Sequence, residues 1–211
     1  MFRRFIFLLF CGLSIASVSV QAAEPVEGKD YTVLKTSVKD APAVVEFFSF
    51  YCPPCAAFSD RFFVSQAVEK ILPPGKKVEK YHVSAIGPMG QELTEAWSVA
   101  KVLGVENKVE LPLFVATQVN RSIKTEASIR QVFIEAGVSE RDYYAAKNSM
   151  AVRALTAKQL EAAKVYGVTG TPSFFVKGKY LVNNGAIQPS TEQDYGKFFA
   201  DVVSALLKHQ K

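Results

Sequence analysis

At 211 residues the chain can bury the core of one sizeable domain, or of one domain carrying an insertion. Hydrophobic residues make up 49% and charged ones 21%, a globular profile that excludes a long disordered or low-complexity tract. Arg3 and Arg4 account for two of the +5 formal charges, and the +3 that remains is too little to argue for a nucleic-acid partner.

The chain begins MFRRFIFLLFCGLSIASVSVQAAEP, with two arginines, an apolar run from Phe5 to about Val20, and small residues before Glu24. This is the pattern of a secretory signal peptide over residues 1–22, cut after Ala22 or Ala23. The apolar run is short for a membrane span. Bulky Phe10 stands where a lipidated cysteine needs a small neighbour, so Cys11 is expected to leave with the signal. No later stretch reaches the roughly 18 uninterrupted apolar residues of a membrane helix, and the mature chain is expected to be soluble in an exported compartment.

After the signal the hydrophobic period changes repeatedly. TVLKTSV (Thr32 to Val38) and AVVEFFSF (Ala43 to Phe50) are rich in β-branched and aromatic residues and read as strands separated by the turn-prone KDAP. The second is apolar on both faces, as a central strand would be. Cys52 follows the strand directly, and CAAFSDRFF, beginning at Cys55, and then SQAVEKIL read as helix, stopped by Pro73, Pro74 and Gly75. VEKYHVSA (Val78 to Ala85) is a third strand. Helical spacing follows, with Leu93, Ala96, Trp97, Ala100 and Leu103 on one face. Ser128 with Gln131 and Ser139 with Asp142 read as capping pairs, and Gly167 stops the block after Tyr166. PSFFV, a Lys177-Gly178 turn and KYLV form a hairpin, and Tyr195 to Leu207 an amphipathic closing helix.

Cys52 and Cys55, in YCPPC, are the only cysteines outside the expected signal. As a staple they close so short a loop that little entropy leaves the unfolded chain. A metal site needs more ligands, and beyond this pair there are only His82 and His209, with no carboxylates marked out to complete it. Thiol-disulfide exchange is the reading favoured over both. Cys52 follows a strand and opens a helix, where unpaired N–H groups and the positive dipole end stabilise a thiolate. No cofactor is expected beyond the Cys52–Cys55 pair, and no metal.

With the helical block excised, a βαβ half meets a ββα half. The expected fold is α/β, a thioredoxin fold with an inserted α-helical domain: residues 24–86 and 161–211 form the thioredoxin part and 87–160 the insert. VEFFSFYCPPC, KYHV, VLGVENKV and GTPSFFVKGKY closely resemble the DsbA family of bacterial periplasmic thiol oxidases, and the likeness runs from about Tyr31 to the C-terminus. The resemblance implies a monomeric periplasmic enzyme that donates disulfides to reduced, unfolded exported proteins. A quinone-linked, DsbB-like membrane partner would reoxidise it.

Pro53 suits the first helical turn, Cys52 is expected to be the exposed nucleophile, and Cys55, one turn inward, to resolve or re-form the bond. In the family a buried acid and a lysine, here Glu46 and Lys80, are thought to move protons for the inner cysteine; the competing reading is a purely structural ion pair. His82 is expected to be a packed strand residue. The resemblance also implies a cis peptide between Thr171 and Pro172, leaving the backbone before it to pair with substrate. Three departures stand out. Pro54 replaces a histidine that helps hold the nucleophile's negative charge, Ser59 stands where the family has a second acid, and Thr171 replaces valine. Thr171 is more typical of relatives that reduce or isomerise disulfides, which keeps open a reductase or isomerase maintained by a DsbD-like partner. The remaining alternative is a non-catalytic binding module or chaperone.

Overall fold

A computed structural model describes residues 24–209; the expected signal, residues 1–22, lies outside the described residues. Five strands form one mixed sheet: β1 (Tyr31–Val33), β2 (Val44–Phe48), β3 (Glu79–His82), β4 (Ser173–Val176) and β5 (Tyr180–Val182), in the spatial order β1-β5-β4-β2-β3. β2 runs parallel to β3, and the other pairings are antiparallel. Every residue of β2 is buried, which explains why it is apolar on both faces. Val44, Glu46 and Phe48 point to one side and Val45 and Phe47 to the other, as the two-residue period requires.

On the Val44 side lie α2 (Val64–Glu69) and α8 (Tyr195–Lys208), whose Val64, Val68, Phe199 and Val203 pack with Phe174 and Val176. Val45 and Phe47 meet Tyr81, Tyr166 and Phe175 on the other side. Between β3 and β4 come α3 (Gly90–Leu103), α4 (Glu106–Phe114) continuing into a π-helical turn (Val115–Val119), α5 (Glu126–Glu135), α6 (Glu140–Lys147) and α7 (Met150–Val165). Their core, including Trp97, Leu113, Phe114 and Phe133, joins Phe48 and Phe50 at the end of β2 and both cysteines. This is the thioredoxin arrangement with a helical segment inserted between β3 and β4. The division expected at residue 160 falls within α7, which runs unbroken to Val165 before Gly167 turns the chain at φ 62°.

The sequence pattern overextends several elements. β1 ends at Val33 rather than Val38, because β5 is short; Leu34 and Val38 instead donate to the Lys179 and Gly178 carbonyls at the hairpin tip, at 2.8 Å each. β3 ends at His82 rather than Ala85. Its last ladder bond is Val83 N–H to Phe48 O (2.7 Å), and beyond Phe48 the partner strand has turned toward Cys52. The helix expected from Cys52 breaks into α1 (Pro53–Asp60) and α2, with Phe63 at φ 48° between them. The break lets α8 approach at Gly196, where a Cβ would strike the Phe62 carbonyl. α5 is capped by Thr125 with Ser128 as its reciprocal partner, not by Ser128 with Gln131, because Thr125 is the last extended residue. Ser139 caps α6 through the Asp142 N–H as its spacing predicts.

Candidate active site

β2 delivers the chain to a tight turn in which Cys52 N–H donates to the Ser49 carbonyl (3.0 Å). Cys52 is then the N-cap of α1, with extended backbone, and Pro53 and Pro54 fill the first two helical positions. Prolines carry no N–H, so the first turn offers the cap few donors. Cys55 N–H points at Cys52 Sγ (3.2 Å), and Ala56 N–H goes to the Cys52 carbonyl (3.3 Å). The sulfurs are joined in a disulfide, with Cα atoms 5.2 Å apart. Cys52 is the more accessible partner, yet it is only 6% exposed against 1% for Cys55. The nucleophile expected to be exposed is thus buried in the oxidised form.

Two other segments close over the pair. The Thr171–Pro172 peptide is cis, and the Thr171 carbonyl oxygen lies 3.3 Å from Cys52 Sγ, a contact rather than a donated bond while the sulfur is oxidised. Gln118, from the π-helical turn, donates its side-chain N–H to the Phe50 and Cys52 carbonyls at 2.8 and 3.1 Å. Nothing in the sequence pattern marks Gln118, since it reaches the site only through the irregular turn after α4.

Glu46 and Lys80 face each other in the parallel ladder, and Lys80 Nζ lies 3.0 Å from Glu46 Oε2. A residue absent from the sequence reading completes the group: Glu110 of α4 accepts from Lys80 Nζ at 2.6 Å and from Ser59 Oγ at 2.8 Å. Ser59 itself carries no charge and serves as a hydrogen-bond donor to this carboxylate from a different helix. Ser65 Oγ donates to Glu46 at 2.6 Å. Burial pushes the Glu46 carboxyl up, the Glu110 charge adds to this, and Lys80 and Ser65 oppose it. Burial pulls Lys80 down, but the two carboxylates outweigh it and raise the ammonium well above its ordinary value. One cation lies between two carboxyl groups, and the Glu46 carboxyl takes up a proton more readily than a free one. Ser59 lies four residues after Cys55 on α1, hence on the same helical face.

His82 is fully buried and outside this group. Its Nε2 accepts from Phe50 N–H (3.1 Å), so Nδ1 carries the proton and donates to Thr94 Oγ1 (2.8 Å). Burial pushes the imidazole down to about 3, which keeps it neutral. Among the described residues no group of three or more His, Cys, Asp or Glu side chains is placed to hold a metal.

Residues 43–195 match the family described as DSBA-like thioredoxin domain. The thiol:disulfide interchange protein DsbA of Yersinia pestis is 44% identical over 202 residues, covering 96% of this chain and 97% of its own length. The crystal structure of the disulfide oxidoreductase DsbA from Proteus mirabilis superposes with a TM-score of 0.85 at 44% identity, covering 88% of this chain and 98% of that one. A complex of Proteus mirabilis DsbA with the non-covalently bound peptide PWATCDS gives the same TM-score at 43% identity, with coverages of 89% and 100%.

Proposed function

The chain belongs to the DsbA family of thiol:disulfide interchange proteins, and from that premise we propose that it works as a periplasmic dithiol oxidase through Cys52 and Cys55. The observation that carries this reading is the disulfide at the start of α1, with Cys52 as the cap and the more accessible sulfur. A client thiolate attacks Cys52 Sγ, the Cys52–Cys55 bond breaks, and Cys55 departs as a thiolate. A second client thiolate attacks the client sulfur of the mixed disulfide and expels Cys52. The client gains one disulfide and the enzyme two thiols, a transfer of two electrons. A stabilised Cys52 thiolate favours the reduced enzyme and so makes it an oxidant, an effect for which DsbA itself is the standard example.

Thr171, beside Cys52, offers its backbone to an extended client strand at the turn before Pro172. The Glu46–Lys80–Glu110 group tunes Cys55, whose leaving thiolate needs a proton. The helical segment from Gly90 to Val165 acts as the inserted domain that covers the cysteines. Clients are reduced exported proteins, and reoxidation falls to a quinone-linked, DsbB-like membrane protein acting on a monomer.

The test is to equilibrate the mature protein with glutathione and to follow oxidation of a reduced two-cysteine peptide. The expected result is a dithiol that is oxidising relative to glutathione, stoichiometric peptide oxidation, and loss of at least about a thousandfold in rate for Cys52→Ser. A strongly reducing couple would instead favour a reductase or isomerase. Full function in Cys52→Ser would favour a binding module.

A further inference from the structure

Beside the cysteine pair lies a cavity of about 470 Å³ that the exchange chemistry does not use. Tyr51 and Pro53 line it from the reactive loop, and Thr117, Gln118, Arg121 and Lys124 from the segment after α4. The turn at Thr171 and Pro172 contributes none of its lining, so this is a different surface from the one offered to a client backbone.

The segment on the far side is built irregularly. It contains the π-helical turn and leaves it through Arg121 at φ 51°, a left-handed conformation that a residue other than glycine seldom adopts. Gln118 ties this segment to the reactive loop by its two bonds to the Phe50 and Cys52 carbonyls. The cavity is therefore fixed relative to Cys52.

Its polar groups are incomplete in one consistent sense. The hydroxyls of Tyr51 and Thr117 are buried and have no hydrogen-bond partner among the described residues. Arg121 and Lys124 are exposed and make no ion pair among the described residues. Among the described residues no carboxylate lines the cavity, and the charged side chains that line it are both cations.

We propose that this cavity is a subsite for aspartate or glutamate side chains flanking the client cysteine. The client carboxylate pairs with Arg121 and Lys124 while the neighbouring thiolate reaches Cys52. Because Pro53 is next to Cys52 in the chain, the acid must lie close to the client cysteine, within about three residues of extended chain. The inference rests on the oxidase reading and adds a preferred class of client.

The test uses three reduced two-cysteine peptides that differ only in whether aspartate, serine or lysine flanks the reactive cysteine, oxidised by the mature protein under single-turnover conditions. The aspartate peptide is expected to exceed the serine peptide in kcat/KM by about fivefold at low salt, and the lysine peptide to fall below it. The ratio should approach one at about 1 M salt, where the Debye length is about 3 Å. It should also fall in Arg121→Glu/Lys124→Glu and, by a smaller factor, in Lys124→Glu alone, which leaves the left-handed residue untouched. Lys208→Glu, at the far end of α8, should keep the wild-type ratio. Equal rates for the aspartate and serine peptides, or a preference that survives the double reversal, would overturn the subsite while leaving the oxidase intact. Failure to oxidise any of the three would overturn both.

Discussion

Two polar clusters sit two residues apart on the same face of β3, and they have opposite characters. At Lys80 an ammonium lies between the carboxylates of Glu46 and Glu110, next to Ser59 of α1. At His82 a neutral imidazole lies among neutral partners. The His82 N–H, which the parallel ladder does not use, donates to Gln159 Oε1 (2.8 Å), and Gln159 Nε2 donates to the Thr94 carbonyl (3.1 Å) and Ser98 Oγ (2.7 Å). Both clusters bind the helical segment to the sheet, one through α4 and the other through α3 and α7. The His82 cluster satisfies its donors and acceptors without charge, so its return is rigidity. The Lys80 cluster places two carboxyl groups and one ammonium beside the helix that carries Cys55, and the role proposed for it is handling a proton.

The largest expected effect separates the clusters by pH. His82 stays neutral in the folded chain down to about 3 but takes a proton near 6.5 when unfolded. The unfolded state therefore binds more protons in that window, and the contribution of His82, complete above the unfolded value, is lost as pH falls toward 3. The shift corresponds to up to about 5 kcal/mol. Chemical denaturation at a series of pH values should show this slope, and His82→Gln should flatten it. Glu46 contributes with the opposite sign. Its folded value is raised, so its contribution is present below its ordinary 4.5 and lost as pH rises through the folded value. A wild-type curve without loss of stability below pH 6 would remove the neutral-core role of His82.

Next in size is Gln159→Ala, which strips partners from the His82 N–H, the Thr94 carbonyl and Ser98 in one change. The expected loss is about 3 kcal/mol, read as a lower denaturant midpoint, with exchange by the folded enzyme nearly unchanged. A large change in exchange rate at unchanged stability would reverse the roles assigned to the two clusters.

A smaller effect concerns the outer cysteine, which the helix start serves rather than either cluster. With Pro53 and Pro54 in the first turn, the backbone donor aimed at Cys52 Sγ is that of Cys55. Pro54→His restores an N–H and adds an imidazole, and should lower the thiolate pKa of Cys52 by about one to two units, moving the potential by roughly 30 to 60 mV toward the oxidising side. Thiolate absorbance and glutathione equilibria would check both. An unchanged or higher pKa in the variant would mean that Pro54 only stiffens the turn.

What could be read in advance follows the range of the interactions. The cysteines at a strand-to-helix junction, the Lys177–Gly178 hairpin turn with both residues at positive φ, and the Glu46–Lys80 pairing across adjacent strands arise from local pattern or from one predictable ladder. Glu110, Gln118 and Gln159 were silent, because each acts across more than 29 positions of chain, from helices whose placement on the sheet no local period encodes. The shortened β1 and the break at Phe63 share that origin, since hairpin length and the approach of α8 set them. Ser59 departs from the family pattern by carrying no acid. Glu110 reaches Ser59 from a part of the chain where nothing distinguished it from any helical glutamate.

Glu110→Gln carries the smallest expected effect on stability and tests the contrast most directly. Glutamine keeps an oxygen to accept from Lys80 and Ser59, so the contacts survive and stability should change by no more than about 1 kcal/mol. What disappears is one negative charge. The Glu110 charge contributes to the raised Glu46 pKa, so its removal should lower that pKa and leave Lys80 with a single carboxylate partner. If the group supplies the proton for the departing Cys55, the pH profile of the first exchange step should move toward acid, with its maximal rate changed by less than about threefold. A purely structural ion pair would leave the profile where it was. Glu110→Asp is the companion variant: it retains the charge on a shorter arm and should keep the profile close to that of the wild type. A profile that shifts equally in both variants would trace the effect to packing of α4 rather than to charge, and Lys80 would then be a tether like Gln159.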